Sequence, residues 1–165
     1  MNHEKILSKD FLNLKDVSDK KKESYLNAKP FPNIKLDNVF NDDFLSNVLN
    51  EFPDLAKLNS SQNYNVKNEI KLSNNNYKKF PKNIKLFIDF LNSNFFLQFL
   101  QNLTSIKEKL VSDSHLEGGG LHEIKCGGVL KVHTDFNRHP FLSLDRRINV
   151  LIYLNKNWKD TYGGH

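Results

Sequence analysis

At 165 residues and 19.2 kDa, the chain fits one domain better than two. It is 38% hydrophobic, 12% aromatic and 26% charged, with seven Gly and five Pro. Thirteen Phe can supply a core, so collagen-like, low-complexity and wholly disordered readings are excluded. No apolar run approaches the ~20 residues of a membrane-spanning helix. The opening MNHEKILSKD lacks the apolar segment of a secretory signal. A single cysteine, Cys126, cannot form an internal disulfide and suits a reducing compartment. The expectation is a soluble, cytoplasmic protein.

The formal charge is +5, unevenly placed: residues 57–85 hold seven Lys and one Glu, so the remainder is slightly acidic. Cations on one face displace counterions from phosphates, which makes this stretch a candidate for nucleic-acid binding. It contains no Arg, however, the residue that reads phosphates and bases bidentately. With twenty-three Asn and twenty-one Lys in the chain, it reads as compositional drift and a solvated loop. Nucleic acid is not an expected partner, and Lys20-Lys21-Lys22 reads the same way.

In chain order, residues 1–29 are polar and weakly patterned, consistent with a loose lead-in or a short helix. Pro30-Phe31-Pro32 introduces Ile34 to Asp37, whose alternation predicts a short strand. Asn41 is placed to cap a helix whose first turn carries Asp42 and Asp43, where the dipole favours acids. Phe40 and Leu45 can staple its start. Phe44, Leu45, Val48, Leu49 and Phe52 keep helical spacing until Pro53. A second helix is predicted from Pro81, with Ile84, Phe87, Ile88 and Leu91 on its apolar face. After the Asn92-Ser93-Asn94 break, Phe95, Phe96, Phe99, Leu100 and Leu103 form a further stripe, read as core.

Beyond residue 110 the text turns to glycine clusters and short apolar runs. Gly118-Gly119-Gly120 and Gly127-Gly128 flank Leu121 to Cys126, which predicts a strand pair. Neither cluster is followed by Lys-Ser or Lys-Thr, so a phosphate-cradling loop is not supported. Leu130 to Phe136 reads as another strand, and Ile148 to Leu154 as the clearest strand of the chain. Helices first and strands after argue for α+β with an antiparallel sheet.

The chemistry-bearing feature is His133-Thr134-Asp135. On a strand, residues i and i+2 share a side, so this imidazole and carboxylate can grip one metal ion. A second His from elsewhere would complete the facial triad of non-haem Fe(II) oxygenases. By itself His-x-Asp is a weak motif, and His115-Leu116-Glu117 has the same spacing.

From His115 to His165 the chain resembles the 2-oxoglutarate- and Fe(II)-dependent oxygenases of the prolyl 4-hydroxylase-like type. Three pieces carry the resemblance: a Gly-rich strand entering HTD, the lead-in Asp145-Arg146-Arg147, and INVLIYLN followed by Trp158 and Gly163-Gly164. The segment PFPNIKLDNVF…EFP is similar to the family's amino-terminal layer, so the likeness runs from Pro30 onward.

The resemblance implies one oxygenase domain over 30–165, with 1–29 as lead-in. Its fold would be a double-stranded β-helix, jelly-roll or cupin-like, behind an amino-terminal helical layer. Metal ligands would be His133 and Asp135, leaving His115 and Glu117 to structure. Asn149, Leu151 and Tyr153 would face the cosubstrate, with the Tyr153 hydroxyl donating to the distal carboxylate of 2-oxoglutarate. Where relatives often have a Tyr nine positions before the ligand His, this chain has Ile124.

The implied activity is a dioxygenase that hydroxylates an unactivated C–H bond and releases succinate and CO2. Its cofactors would be Fe(II) and 2-oxoglutarate, with ascorbate as a further one the resemblance admits. The substrate would be a prolyl residue of a protein or a small molecule.

Thirty residues follow Asp135, room for one long strand and the start of another. The distal His and the basic residue that pairs with 2-oxoglutarate are not assigned. His165 stands where the family has a strand beginning, and His139 precedes Pro140 in an expected loop on the surface or substrate side. The expectation is therefore a carboxy-terminally truncated oxygenase with an incomplete sheet, binding Fe(II) poorly and inactive alone. The alternative is a non-catalytic β-helix domain that binds a protein or ligand without oxidising it.

Overall fold

The structure is a computed structural model that describes residues 2–67 and 69–163. The chain divides into two compact units, Met1–Lys131 and Val132–His165.

The first unit is α+β. Its helices are α1 (Leu14–Leu26), α2 (Asp42–Asn50), α3 (Lys82–Leu91) and α4 (Asn94–Thr104). Each of the last three starts where a cap can be found. The Asn41 side chain accepts from the Phe44 N–H at 3.0 Å, with Asp42 and Asp43 in the first turn of α2. Ser93 caps α4 in the same way. Pro81 occupies the cap position of α3 but has no side-chain acceptor to offer. Glu51, just past α2, does this work instead: its carboxylate accepts from the Asn83 backbone N–H and side-chain amide, both at 2.7 Å.

The apolar stripes of α2, α3 and α4 meet in one aromatic core. Phe87 lies edge-on to Phe40 (centroids 4.8 Å, 86°) and to Phe44 (5.4 Å, 81°), the arrangement that ring quadrupoles favour. Phe90 is 0% exposed at the centre, against Phe96 at 5.4 Å.

The stretch 1–29 joins this core. Ile6, Leu7, Phe11 and Leu14 are buried, and α1 packs along α4. Residues 6–8 run beside 38–41, through a Leu7–Phe40 bridge and bonds from the Ser8 N–H to the Val39 carbonyl and from the Asn41 N–H to the Ile6 carbonyl. The expected strand at Ile34–Asp37 is absent, and pairing begins only at this bridge. Pro30 and Pro32, which remove donors, immediately precede the segment that fails to pair.

The Asn- and Lys-rich stretch is not a solvated loop. It folds as an antiparallel hairpin of β1 (Gln62–Val66) and β2 (Glu69–Asn74), in the register Gln62↔Ser73 to Val66↔Glu69. Composition concealed it because Asn and Lys are depleted in strands, whereas packing supplies the stability. The buried Asn74 amide donates to the Ser60 and Ser61 hydroxyls, and the Lys71 ammonium sits 5.2 Å over the Tyr64 ring beside Glu69.

β3 (Leu121–Glu123) and β4 (Val129–Leu130) do not form the expected pair with one another. Both run antiparallel to β2, β3 against Leu72–Asn74 and β4 against Glu69–Ile70, end to end along one edge. The interruption turns at Lys125, whose carbonyl accepts from the Gly128 N–H at 2.8 Å. Gly120, with φ +96°, opens β3 where a Cβ would stand 2.4 Å from the Asn74 carbonyl oxygen, so a side chain has no room there.

Of the expected strand Leu130–Phe136 only Leu130 pairs, in β4, and in the second unit neither residues 132–136 nor Ile148–Leu154 take part in a ladder among the described residues. Ile148–Leu154 was the clearest strand in the sequence, and its alternation survives in part. Leu151 and Tyr153 are exposed, while Ile148, Ile152 and Leu154 are half-covered. A strand must borrow its hydrogen bonds from a neighbour, and no described residue lends them here. No second sheet of a β-helix is present among the described residues. Among the described residues, no helix is long and apolar enough to cross a membrane.

Candidate metal centre

The second unit is organised by one closed loop. Arg138 and Asp145 form an isolated antiparallel bridge, and the Arg146 N–H donates to the Asn137 carbonyl and the His139 N–H to the Leu144 carbonyl, each at 2.8 Å. The loop tip is tied by His139 itself, whose Nδ1 accepts from the Phe141 and Leu142 backbone N–H groups, both at 3.1 Å. The sequence places His139 in a loop on the surface or substrate side, and in that loop its ring is the acceptor that two turn amides need.

Closure of this loop brings residues fourteen apart in sequence into contact. The Asn149 side-chain amide donates to Asp135 Oδ2 at 3.1 Å. On its other oxygen, Asp135 Oδ1 lies 3.5 Å from His133 Nε2. Arg146 completes the group: its Nη2 lies 3.4 Å from Asp135 Oδ2 and donates to Asn149 Oδ1 at 3.2 Å. The guanidinium also covers the Phe136 ring at 4.7 Å, a stacking geometry open to Arg and not to Lys. Its side chain is 19% exposed, while those of His133 and Asp135 are about half open to solvent.

The donor set suits a divalent metal. Two cis ligands of an octahedral ion, with bonds of about 2.1 Å, stand about 3 Å apart. His133 Nε2 and Asp135 Oδ1 are separated by nearly that distance, and both side chains reach solvent, which leaves an approach for the ion. Fe(II) bound there would be held by His133 Nε2 and Asp135 Oδ1.

Of the other expected site residues, Asn149 meets the pair. Asn149, expected to face the cosubstrate, is engaged with Asp135 and Arg146. Leu151 and Tyr153 stand open to solvent, 66% and 74% exposed. His165 lies outside the described residues. In the first unit, the His115 N–H donates to the Asp113 carboxylate at 3.0 Å and its ring lies 3.4 Å from the Ser114 hydroxyl, while Leu116 between His115 and Glu117 has φ +52°. That backbone is not a strand, so the i, i+2 argument for His115 and Glu117 does not apply. Ile124 is half-exposed, and its side chain lies where a Cβ on Gly128 would fall.

Sequence reasoning missed the part played by Arg146. Its signal was present: the basic lead-in and Asn149 are three residues apart, and a carboxylate two positions beyond a ligand-type His is a natural partner for both.

No curated protein and no solved structure matches the chain. The family model of the 2OG-Fe(II) oxygenase superfamily matches residues 119–165, a span that holds His133, Asp135, Arg146 and Asn149 together. Over that span the chain is similar to a superfamily whose description names 2-oxoglutarate and Fe(II).

Proposed function

We propose that the chain carries the metal-binding part of a prolyl 4-hydroxylase-like dioxygenase, built on a double-stranded β-helix and acting on a prolyl residue or a small molecule. The observation that carries this reading is the His133 Nε2 to Asp135 Oδ1 separation of 3.5 Å inside the matched span. When bound, Fe(II) and 2-oxoglutarate supply the chemistry that yields succinate and CO2 and hydroxylates an unactivated C–H bond.

The chain's own residues have simpler tasks. His133 and Asp135 hold the ion from one side and leave its other positions open, which is the use of a two-nitrogen, one-carboxylate face. The third ligand is a second His not assigned among the described residues. Tyr153 presents its hydroxyl to the distal carboxylate of 2-oxoglutarate, and Leu151 supplies apolar wall. The exposure of both suits side chains that meet a ligand.

The test, on a full-length version that supplies the second His, is release of succinate from 2-oxoglutarate dependent on Fe(II) and substrate. His133→Ala and Asp135→Ala are each expected to abolish it, and Tyr153→Phe to raise the KM for 2-oxoglutarate severalfold. Undiminished succinate release by both ligand variants would show the assignment to be wrong.

A further inference from the structure

We infer that Arg146 and Asn149 are positioning residues that fix the Asp135 carboxylate as a one-oxygen ligand, an inference that rests on the metal reading above. The two oxygens of Asp135 have different surroundings. Oδ2 takes the Asn149 amide at 3.1 Å and the Arg146 guanidinium at 3.4 Å. Oδ1 faces His133 Nε2. Arg146 Nη2 also donates to Asn149 Oδ1 at 3.2 Å, so the two donors are locked to each other as well as to the carboxylate.

This triangle has two effects. It stops the carboxylate from rotating about its last torsion, a broad one when unrestrained. It also occupies the oxygen that would otherwise bind the ion side-on and use a second coordination position. Holding Oδ2 in hydrogen bonds keeps that position for a cosubstrate. The guanidinium is itself braced on the Phe136 face, so the brace reaches back to the residue next to the ligand. Outer partners of this kind typically set about 10–100-fold of metal affinity.

A structural role and a positioning role part company on the sign of the effect. Arg146 is a cation close to the site, so removing it lowers repulsion and on Coulomb grounds alone strengthens binding of a divalent ion. Loss of positioning weakens it. The experiment is titration of the chain with Co(II), followed by its visible absorption and by calorimetry, with thermal unfolding recorded for every variant.

The expected result is that Arg146→Met and Asn149→Leu bind Co(II) about 10–100-fold more weakly, with altered band positions, while Arg146→Lys falls between. Lys keeps the charge but cannot donate to two partners in a fixed fork. Should Arg146→Met not fold, Asn149→Leu and Arg146→Lys carry the same comparison. Equal or tighter binding with unchanged spectra in both, alongside loss of binding in His133→Ala and Asp135→Ala, overturns the positioning role and leaves the metal site standing. A site with two assigned ligands binds weakly, so the titration runs to millimolar Co(II); no binding even there, or equal binding by the two ligand variants, overturns the metal reading and this inference with it.

Discussion

Phe90 of α3 and Tyr153 of the INVLIYL run sit in comparably apolar stretches, yet one is 0% and the other 74% exposed. The difference lies in what each backbone asks of its surroundings. A helix satisfies its own N–H and C=O groups and needs only a partner for one face. In α3 that partner is supplied within the first unit by α2, α4 and Phe40. A strand needs a neighbour for its backbone before its side chains are fixed at all. Apolar sequence alone does not make a core; the satisfaction of the backbone decides which apolar residues can be buried.

The largest effect expected from this contrast is on Phe90. Phe90→Ala leaves a cavity among Phe40, Phe95 and Phe96 and should cost about 3–5 kcal/mol, read as a fall in the denaturant midpoint of the far-ultraviolet helical signal. Val132, 105% exposed, supplies the opposite limit: Val132→Thr should move the same midpoint by less than about 0.5 kcal/mol. Comparable shifts for the two would remove the distinction between the regions.

The helices were legible because their signals are local. Asn41, Ser93 and the i, i+3, i+4 spacing of Phe and Leu lie within one or two turns of what they control. The hairpin at 62–74 was not, since its stability rests on Asn74 meeting Ser60 and Ser61 and on Lys71 over Tyr64, pairings that composition argues against. The burial of Ile6 and Leu7 was equally hidden, two residues being too few to show a period. At the site, spacing alone left His133 and Asp135 level with His115 and Glu117, and the resemblance is what set them apart. The contacts of Arg146 and Asn149 with Asp135 were harder to see, because they accompany the closure of the 137–146 loop.

A mid-sized effect is expected at the sheet edge. Gly120→Ala forces a Cβ against the Asn74 carbonyl at a φ that L-residues avoid, and should cost about 1–3 kcal/mol. The measurement is thermal unfolding, together with loss of hydrogen-exchange protection at Leu121 to Glu123. A smaller effect belongs to the helix cap: Glu51→Ala removes both acceptors of Asn83 and should cost about 1 kcal/mol.

The smallest concerns Asp54, whose carboxyl is held below the usual range by hydrogen bonds from Lys57 and then Lys125, both at 3.3 Å. A carboxyl lowered in the folded state favours folding above the ordinary Asp value, and that contribution disappears as pH falls through the lowered one. The window is therefore acidic, from about pH 4 downward. Lys125→Met should return the Asp54 titration toward its ordinary position in a carbon-detected NMR series. An unmoved curve would leave Lys57 and the Ala56 N–H as the cause.

The 137–146 loop also governs what lengths of chain the site can accept. The tip beyond the Arg138–Asp145 bridge is tied by His139, and lengthening a closed loop is thermodynamically mild, about 0.6 kcal/mol per doubling. The three-residue interval from Arg146 to Asn149 is different in kind. Both ends of it meet at one carboxylate, so a single inserted or deleted residue there would carry one partner away from the other. Variation in length is thus cheap at the tip and forbidden at the base, and the same hairpin separates a tolerant surface from an intolerant one within ten residues.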